Sequence, residues 1–319
     1  MKKLILILLF IPIVFFGQDC PPCDITANPG MEITNRKASW PKLNNKKIIK
    51  INTLTSVLYE NGTADLAEEK YWTERNRRSW WMNEGSDPWT KDPYWGDKYV
   101  KPNLNFSSCV NDKLRWKCGY SYVLKMPDNF KKNKKYPLVI FLHGGINSNP
   151  NSLNRRANYV NDFHIPKNDQ YIVAAPIKLG VDWSAKKIQD LIEDIKVNLK
   201  IDNKRIYLTG LSMGGRGTFI VASKLPKIFA AIMPLSPHHQ PYSYLPLSEK
   251  VSHLPIFLHH SKNDKTSKFS MAESMYNKIL VNNDNIRFDI GNSGHSGWSK
   301  IYNNEKIITW FLSWKNSKK

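Results

Sequence analysis

Long apolar runs are missing from this chain of 319 residues except at its N-terminus. The run Leu4–Phe16 is apolar, but it is shorter than a bilayer span requires. It follows Lys2-Lys3, and a positive pair before a short apolar core predicts a secretory signal peptide over residues 1–17. An uncleaved anchor is the weaker alternative on length, and no lipoprotein box precedes Cys20. We therefore expect a secreted or periplasmic protein with no stable membrane insertion after signal cleavage.

Cysteine is also scarce, and none occurs after residue 118. An even number of cysteines in an exported chain favours disulfides, and three pairings of four cysteines are possible. One pairing joins Cys109 to Cys118 and Cys20 to Cys23, whereas the crossed pairings would tie the N-terminus to the main domain. The Cys-Pro-Pro-Cys pair can also indicate redox chemistry or half of a metal site, but no thioredoxin-like pattern follows it.

Acidic residues are few, with 27 Asp and Glu against 47 Lys and Arg, so the formal net charge is +20. Such a charge can indicate nucleic acid, an anionic polymer or a membrane as partner. Lysine is spread along the whole chain, however, and the run at 131–135 is typical of a solvated turn between strands. No arginine patch interleaved with aromatic residues is present. We expect no nucleic-acid partner.

The chain divides near residue 115 into two parts of different character. Residues 18–114 form a polar, irregular extension that is rich in tryptophan. Because indole faces suit the apolar faces of sugars, this extension can be a sugar-binding platform. We favour the alternative that its tryptophans pack on the main domain. Residues 115–319 show regular patterning and are long enough to bury a large core.

Apolar runs alternate with amphipathic stretches in residues 115–319. The continuous runs Tyr136–Leu142 and Tyr171–Ala175 are typical of buried strands, and Ser184–Lys200 has the apolar spacing of an amphipathic helix. Alternation of strands with helices predicts an α/β fold, in which helices cover both faces of a mostly parallel sheet. Ligands bind such sheets at the carboxyl ends of the strands. Further strands are predicted at 120–126, 205–209, 229–234, 256–259 and 286–290, and further helices at 216–224, 268–280 and 305–314.

A serine lies between one of these strands and the following helix. The segment Gly210-Leu211-Ser212-Met213-Gly214 fits the pattern G-x-S-x-G, with the strand 205–209 before it and the helix 216–224 after it. In that setting a sharp turn exposes the serine at the end of the sheet, and the glycines leave room for the bend. A Gly-Ser loop without chemistry is the alternative. The flanking elements favour Ser212 as a nucleophile.

Two more residues follow predicted strands and complete a catalytic triad. Asp264 comes after the strand 256–259, and His295 comes after the strand 286–290. A triad needs a histidine to accept the serine proton and a carboxylate to orient that histidine. The chain order Ser, Asp, His is the order that accompanies G-x-S-x-G. Asp289 is a rival acid, although it lies inside a predicted strand.

Histidine doublets raise the alternative of a metal centre. They are His238-His239 and His259-His260. Adjacent residues of a strand point to opposite faces, so neither doublet easily forms one site. We expect no metal and no other cofactor.

Glycines after the strand 136–142 are candidates for an oxyanion hole. In this setting the loop after that strand gives one backbone N–H, here from Gly144 or Gly145, and the residue after the nucleophile, Met213, gives the other. A tight strand-exit turn is the simpler interpretation, and both can hold together. The side chains predicted to contact substrate are His143, Trp183 and Trp298.

Five segments together carry a resemblance to a known family. They read YPLVIFLHGG, RIYLTGLSMGGRGT, FAAIMPLS, HSKND and GHSGW, in that order. The region 117–319 resembles the secreted α/β-hydrolase esterases, especially phospholipase/carboxylesterase-like and feruloyl-esterase-like proteins of the "predicted peptidase" group. The resemblance implies the α/β-hydrolase fold, the triad Ser212, Asp264 and His295, and an ester substrate. The sequence departs from the family pattern at two places. Ser261 follows the His of the acid loop, where the family commonly has a small residue, often glycine, and the loop after Gly145 lacks the charged pattern of many members.

The residues and the resemblance lead to one preferred function and two alternatives. We expect a secreted serine esterase of the carboxylesterase type that removes acetyl or hydroxycinnamoyl groups from polysaccharides or related small esters. The first alternative is a serine peptidase, because the same fold supports both reactions. The second is a surface-binding protein without catalysis, against which the complete set of Ser212, Asp264 and His295 argues.

Overall fold

A computed structural model describes residues 48–51, 121–145, 158–177, 183, 185–240 and 243–317. The predicted signal peptide, all four cysteines and the tryptophans of the predicted extension lie outside these residues, so the predictions about them stay predictions. None of the helices in the described ranges combines the length and the apolar character that a membrane span requires.

One central sheet of eight strands organises the described residues. In chain order the strands are β1 (Ile48–Ile51), β2 (Ser121–Lys125), β3 (Tyr136–Leu142), β4 (Ile172–Ile177), β5 (Ile201–Leu211), β6 (Ala231–Leu235), β7 (Ile256–Ser261) and β8 (Ile286–Gly291). Across the sheet their order is β1-β2-β4-β3-β5-β6-β7-β8. β2 runs antiparallel to both of its neighbours, β1 and β4. The six strands β3 to β8 run parallel to one another. The predicted mostly parallel sheet is confirmed.

Helices lie on both faces of this sheet, as predicted. They are α1 (Ala185–Asn198), α2 (Met213–Lys224), α3 (Ser248–Val251), α4 (Phe269–Leu280), α5 (Trp298–Tyr302) and α6 (Glu305–Leu312), with short 3-10 helices at Asn158–Asp162 and Leu245–Leu247. Buried side chains of α1, α2 and α4 belong to one apolar cluster, whereas those of α5 and α6 belong to a second. The two clusters are separated by the sheet.

Strand β3 shows how the sequence produces two cores. All seven of its residues are buried, because helices cover the sheet on both sides. Leu138, Ile140 and Leu142 belong to the first cluster. Val139 and Phe141 alternate with them and belong to the second. An uninterrupted apolar run therefore indicates a central strand rather than one with a solvated face.

Strand β1 lies inside the segment predicted to be irregular, and that prediction is wrong for these four residues. Ile48 pairs with Lys125, and Ile51 pairs with Tyr122, in an antiparallel ladder with β2. The three isoleucines among the four residues of β1 carried the strand signal, because β-branched side chains favour strands. The run is too short to stand out among the surrounding polar residues.

Candidate active site

The turn between β5 and α2 holds Ser212 in an unusual backbone conformation. Its φ is 56°, in the left-handed region that residues other than glycine rarely adopt. Such a conformation costs about 1–3 kcal/mol and persists only where the surroundings enforce it. Here the Ser212 N–H donates to the Leu235 carbonyl at 2.9 Å, and the Ser212 carbonyl accepts from the N–H groups of Arg216 and His238 at 3.1 and 2.9 Å. The backbone is thus fixed on both sides of the side chain.

Two glycines of the motif are needed for close backbone packing. A Cβ on Gly214 would lie 1.9 Å from the carbonyl oxygen of Leu142, at the end of β3. A Cβ on Gly210 would lie 2.4 Å from the carbonyl oxygen of Gly214. Any larger residue would push the turn away from the sheet, so these glycines set the position of Ser212 at the carboxyl end of β5.

The three predicted triad residues meet at the carboxyl ends of β5, β7 and β8. His295 Nε2 lies 2.8 Å from Ser212 Oγ, within reach to accept the hydroxyl proton. His295 Nδ1 lies 2.7 Å from Asp264 Oδ2, to which its N–H donates. The arrangement therefore joins a hydroxyl, an imidazole and a carboxylate in one continuous relay, which is the geometry of a serine nucleophile with its base and acid.

The side chain of Asp264 is fully buried and richly hydrogen-bonded. Its Oδ1 accepts the backbone N–H groups of Thr266 and Ser267, both at 2.8 Å. Burial alone would raise the pKa of Asp264, but the hydrogen bonds from Ser267, His295 and Thr266 outweigh burial and hold that pKa below its ordinary value. The carboxylate is thereby kept in its charged form, which is the form that stabilises an imidazolium.

Acid is expected to weaken the fold in part through Asp264. Because the folded-state pKa lies below the ordinary value of 3.8, the charged carboxylate stabilises the fold above about pH 4, and this contribution is lost as the pH falls through the folded pKa. The free energy of unfolding of the wild type should therefore fall more steeply below about pH 4 than that of Asp264→Asn. Urea unfolding at a series of acidic pH values measures both slopes, and equal slopes would contradict this expectation.

The loop after β8 holds His295 between two glycines with positive φ. Gly294 has φ 64° and Gly297 has φ 85°, a region in which other residues are strained. The Gly294 N–H donates to the Asn263 side-chain oxygen at 2.8 Å, which ties this loop to the loop that carries Asp264. The base and the acid are therefore held together by a contact outside the relay itself.

Trp298 lies directly behind the base. Its ring meets the His295 ring edge to face, with centroids 5.0 Å apart and planes at 89°. Its indole N–H donates at 3.0 Å to the hydroxyl of Ser236, itself a residue with positive φ at the end of β6. The sequence predicts that Trp298 contacts substrate, but only 8% of its surface is exposed and its ring packs against His295.

The predicted oxyanion-hole residues lie next to the turn between β5 and α2 that holds Ser212. A Cβ on Gly144 would lie 3.3 Å from Ser212 Cβ, and a Cβ on Gly145 would lie 3.3 Å from the Met213 sulfur. Met213 is the first residue of α2, and N–H groups in the first turn of a helix have no partner within the helix. The loop and the start of α2 therefore lie next to Ser212, and the oxyanion hole formed by their backbone N–H groups stays a prediction.

His143 and Trp183 are buried beneath the site, so their placement does not support the predicted contact with substrate. Their exposed fractions are 2% and 0%, and their ring centroids lie 4.9 Å apart. Trp183 also packs on α2, where a Cβ on Gly217 would lie 2.2 Å from the indole ring. The pair therefore connects the loop after β3 to α2 through packing contacts. Composition alone did not distinguish such a tryptophan from one that lines a pocket.

The rival acid belongs to a different pair. Asp289 Oδ2 lies 2.6 Å from His259 Nδ1, whereas His295 is paired with Asp264. His259 and His260 point to opposite faces of β7, as expected for neighbours in a strand, so they do not share a ligand.

The opposite-face argument is wrong for the other histidine doublet. His238 and His239 follow β6 in a loop, and their rings stack with centroids 5.5 Å apart. Burial lowers the pKa of His238, and burial and the neighbouring His238 lower that of His239, which favours the neutral ring in both. Across the part of the chain that the structure describes, no three His, Cys, Asp or Glu side chains converge as a metal ion would need.

Comparison with known proteins shows similarity to esterases. A family model for PETase, described as PET hydrolase-like, matches residues 180–317. A probable feruloyl esterase C of Aspergillus flavus is 25% identical over 197 residues, which cover 56% of this chain and 68% of that protein. A bifunctional acetylxylan esterase/xylanase of Neocallimastix patriciarum is 27% identical over 174 residues, covering 51% of this chain and 24% of that protein. The crystal structure of a thermostable esterase superposes with a TM-score of 0.53 at 25% identity, covering 61% of this chain and 59% of that chain.

The sheet, the turn at Ser212 and these matches define the class of the protein: it has the fold of an α/β hydrolase. Within that class the chain is similar to esterases over part of its length. The family model covers residues 180–317 only, and the chain spans less than two thirds of the thermostable esterase. The reacting groups and the substrate are therefore matters for proposal.

Proposed function

We propose that this protein hydrolyses carboxylic esters through an acyl-enzyme formed on Ser212. The relay from Asp264 through His295 to Ser212, with distances of 2.7 and 2.8 Å, is the observation that carries the proposal. His295 takes the proton of Ser212 as the hydroxyl attacks the ester carbonyl, and Asp264 stabilises the imidazolium that forms. His295 then donates that proton to the leaving alcohol.

Backbone donors stabilise the charge that develops on the carbonyl oxygen. The N–H of Met213 and the N–H of Gly144 or Gly145 are the proposed donors, and removing one such donor typically costs about 3 kcal/mol of transition-state stabilisation. Water then enters, His295 removes its proton, and attack on the acyl-enzyme releases the acid and regenerates Ser212. No step of this sequence calls for a cofactor.

The substrate that we propose is an acylated polysaccharide, from which the enzyme removes acetyl or hydroxycinnamoyl groups. Two of the matched proteins carry the names feruloyl esterase and acetylxylan esterase, which are esterases for these two acyl groups. The expected signal peptide would export the enzyme to where such polymers occur. The tryptophans of residues 18–114 offer further surface for sugars.

Release of acetate and ferulate from acetylated and feruloylated polysaccharides tests this substrate class. The mature wild type should release at least one of the two acids, and Ser212→Ala should release neither above the uncatalysed rate. An aromatic polyester belongs in the same panel because of the PET hydrolase-like match. Equal release by the wild type and Ser212→Ala would refute the proposal.

Peptide bond hydrolysis is a second candidate, favoured by one specific match. Dipeptidyl-peptidase 5 of Porphyromonas gingivalis is 27% identical over 124 residues, which cover 34% of this chain and 18% of that protein. A panel of chromogenic esters beside chromogenic dipeptide amides separates the two activities. An enzyme that cleaves the amides faster than the matched esters would be a peptidase.

The alternative of a non-catalytic binding protein has its own test. A fluorophosphonate probe reacts with serines that an adjacent base activates, whatever the natural substrate. We expect the probe to label the wild type and to leave Ser212→Ala unlabelled. A wild-type protein that folds but resists the probe would favour the binding protein.

A further inference from the structure

A second histidine contacts the acid of the triad. His260 belongs to β7 and is fully buried, on the strand face opposite to that of His259. Its Nε2 lies 3.0 Å from the carbonyl oxygen of Ser267 and 3.3 Å from Asp264 Oδ2. The same carboxylate oxygen receives the N–H of His295 at 2.7 Å. Asp264 therefore has an imidazole on each side of one oxygen.

The surroundings of His260 fix which ring nitrogen carries the proton. Both neighbours of Nε2 are acceptors, a carbonyl and a carboxylate, so Nε2 is the protonated nitrogen and donates. Nδ1 has no hydrogen-bond partner among the residues that the structure describes. Burial lowers the pKa of His260, and the titratable groups near it are Asp264 and His295, with His259 next to it on the opposite face of the strand. His260 is consequently a neutral donor beside a charged acid.

His260 also closes the loop that carries Asp264. The Ser267 N–H donates to Asp264 Oδ1, while the Ser267 carbonyl accepts from His260. Both backbone groups of Ser267 are therefore hydrogen-bonded, the N–H to Asp264 and the carbonyl to His260. Phe269, the first residue of α4, packs edge to face on the His260 ring, with centroids 6.0 Å apart.

We propose that His260 is a positioning residue for the triad, which fixes the loop Asp264–Ser267 and directs an N–H at the carboxylate oxygen that receives His295. This inference rests on the proposed role of Asp264 as the triad acid. His260 does not touch a substrate in this arrangement. It holds the carboxylate at the distance and angle that keep His295 aligned with Ser212, and small displacements of such groups have large effects on rate.

Three substitutions at position 260 separate donation from packing. His260→Leu keeps bulk and removes the donor. His260→Gln places an amide N–H near the position of Nε2, whereas the shorter His260→Asn keeps a polar group that does not reach Asp264. Against a simple chromogenic ester, we expect kcat/KM to fall about 10- to 100-fold in His260→Leu and His260→Asn. His260→Gln should recover to within about 5-fold of the wild type.

The pH profile provides a readout that loss of packing would not move. Without the His260 N–H, the carboxylate holds more negative charge toward His295 and stabilises its protonated form. The acidic limb of kcat/KM should therefore move to higher pH in His260→Leu and His260→Asn, and return toward the wild-type position in His260→Gln. His259→Leu is the matched control, because it removes the imidazole of the adjacent residue of β7, which is also buried but pairs with Asp289. It should lower the thermal midpoint without moving the limb.

The possible results are distinct. If His260→Leu lowers kcat/KM without moving the acidic limb, and His260→Gln does not restore the rate, then His260 contributes only packing and the proposal is overturned. A wild-type rate and pH profile in all three variants would overturn it as well. Rates of labelling by a fluorophosphonate probe repeat the comparison without any substrate. A wild type inert to both ester and probe would overturn the proposed function itself, and this proposal with it.

Discussion

Ser212→Ala is expected to lower kcat for ester hydrolysis by about 10⁶-fold, the largest effect of any single change in this chain. Without the hydroxyl no acyl-enzyme forms, and the remaining rate comes only from binding and from the backbone donors near Met213. Hydrolysis of a chromogenic acetate ester, followed to long times at high enzyme concentration, measures the residual rate. The fold should persist, because the contacts that fix this turn involve the backbone of Ser212.

Ser223→Ala is a suitable control for this change. Ser223 lies on the same helix α2, partly buried, and its hydroxyl donates to the Ile220 carbonyl at 2.8 Å, away from the relay. It should keep the wild-type rate. A Ser212→Ala protein that retained a tenth or more of the activity would show that another residue is the nucleophile.

Asp264→Asn is expected to lower kcat by about 10⁴-fold with little change in the fold of the site. An asparagine can present its N–H₂ to His295, which then holds the tautomer that cannot take the Ser212 proton. The loss should ease as the pH rises, because hydroxide can replace the missing base. Steady-state rates across the neutral and alkaline range measure both effects.

Asp289→Asn is the matched variant for the acid. Asp289 also meets a histidine through Oδ2, at 2.6 Å, but that histidine is His259 rather than His295. Its kcat should stay within about 3-fold of the wild type, since surface changes away from a site have small effects. A large loss in Asp289→Asn together with a small loss in Asp264→Asn would exchange the two roles.

The elements that frame the site were predictable because they are central to the sheet. β3 and residues 206–211 of β5 are buried because helices cover both faces of the sheet, and the predicted span Tyr136–Leu142 is the observed one. β5 itself begins at Ile201, earlier than predicted, in a polar and partly exposed stretch. The glycines around Ser212 are equally visible, because close packing excludes every other residue there. Chain order, together with positions directly after predicted strands, then selected Asp264 and His295 and set aside Asp289.

The supporting residues could not be predicted, because their roles depend on contacts distant in sequence. The sequence does not distinguish Trp183 from Trp298, yet the first packs against α2 and the second packs against the His295 ring. In the sequence His260 is marked only as half of a histidine doublet, although it lies four residues before Asp264. Its role requires the fold of the acid loop, which brings the Ser267 carbonyl back to its ring.

The position of β8 at one edge of the sheet has a consequence for how activity and folding relate. Ser212, the proposed nucleophile, follows β5, an inner strand, whereas His295, the proposed base, follows β8, which among the described strands has a neighbour on one side only. Edge elements open with a smaller free energy than central ones. Heat or denaturant can therefore separate His295 from Ser212 while the rest of the sheet stays intact. Loss of turnover in this protein will mark the loosening of one edge and will precede the collapse of the core.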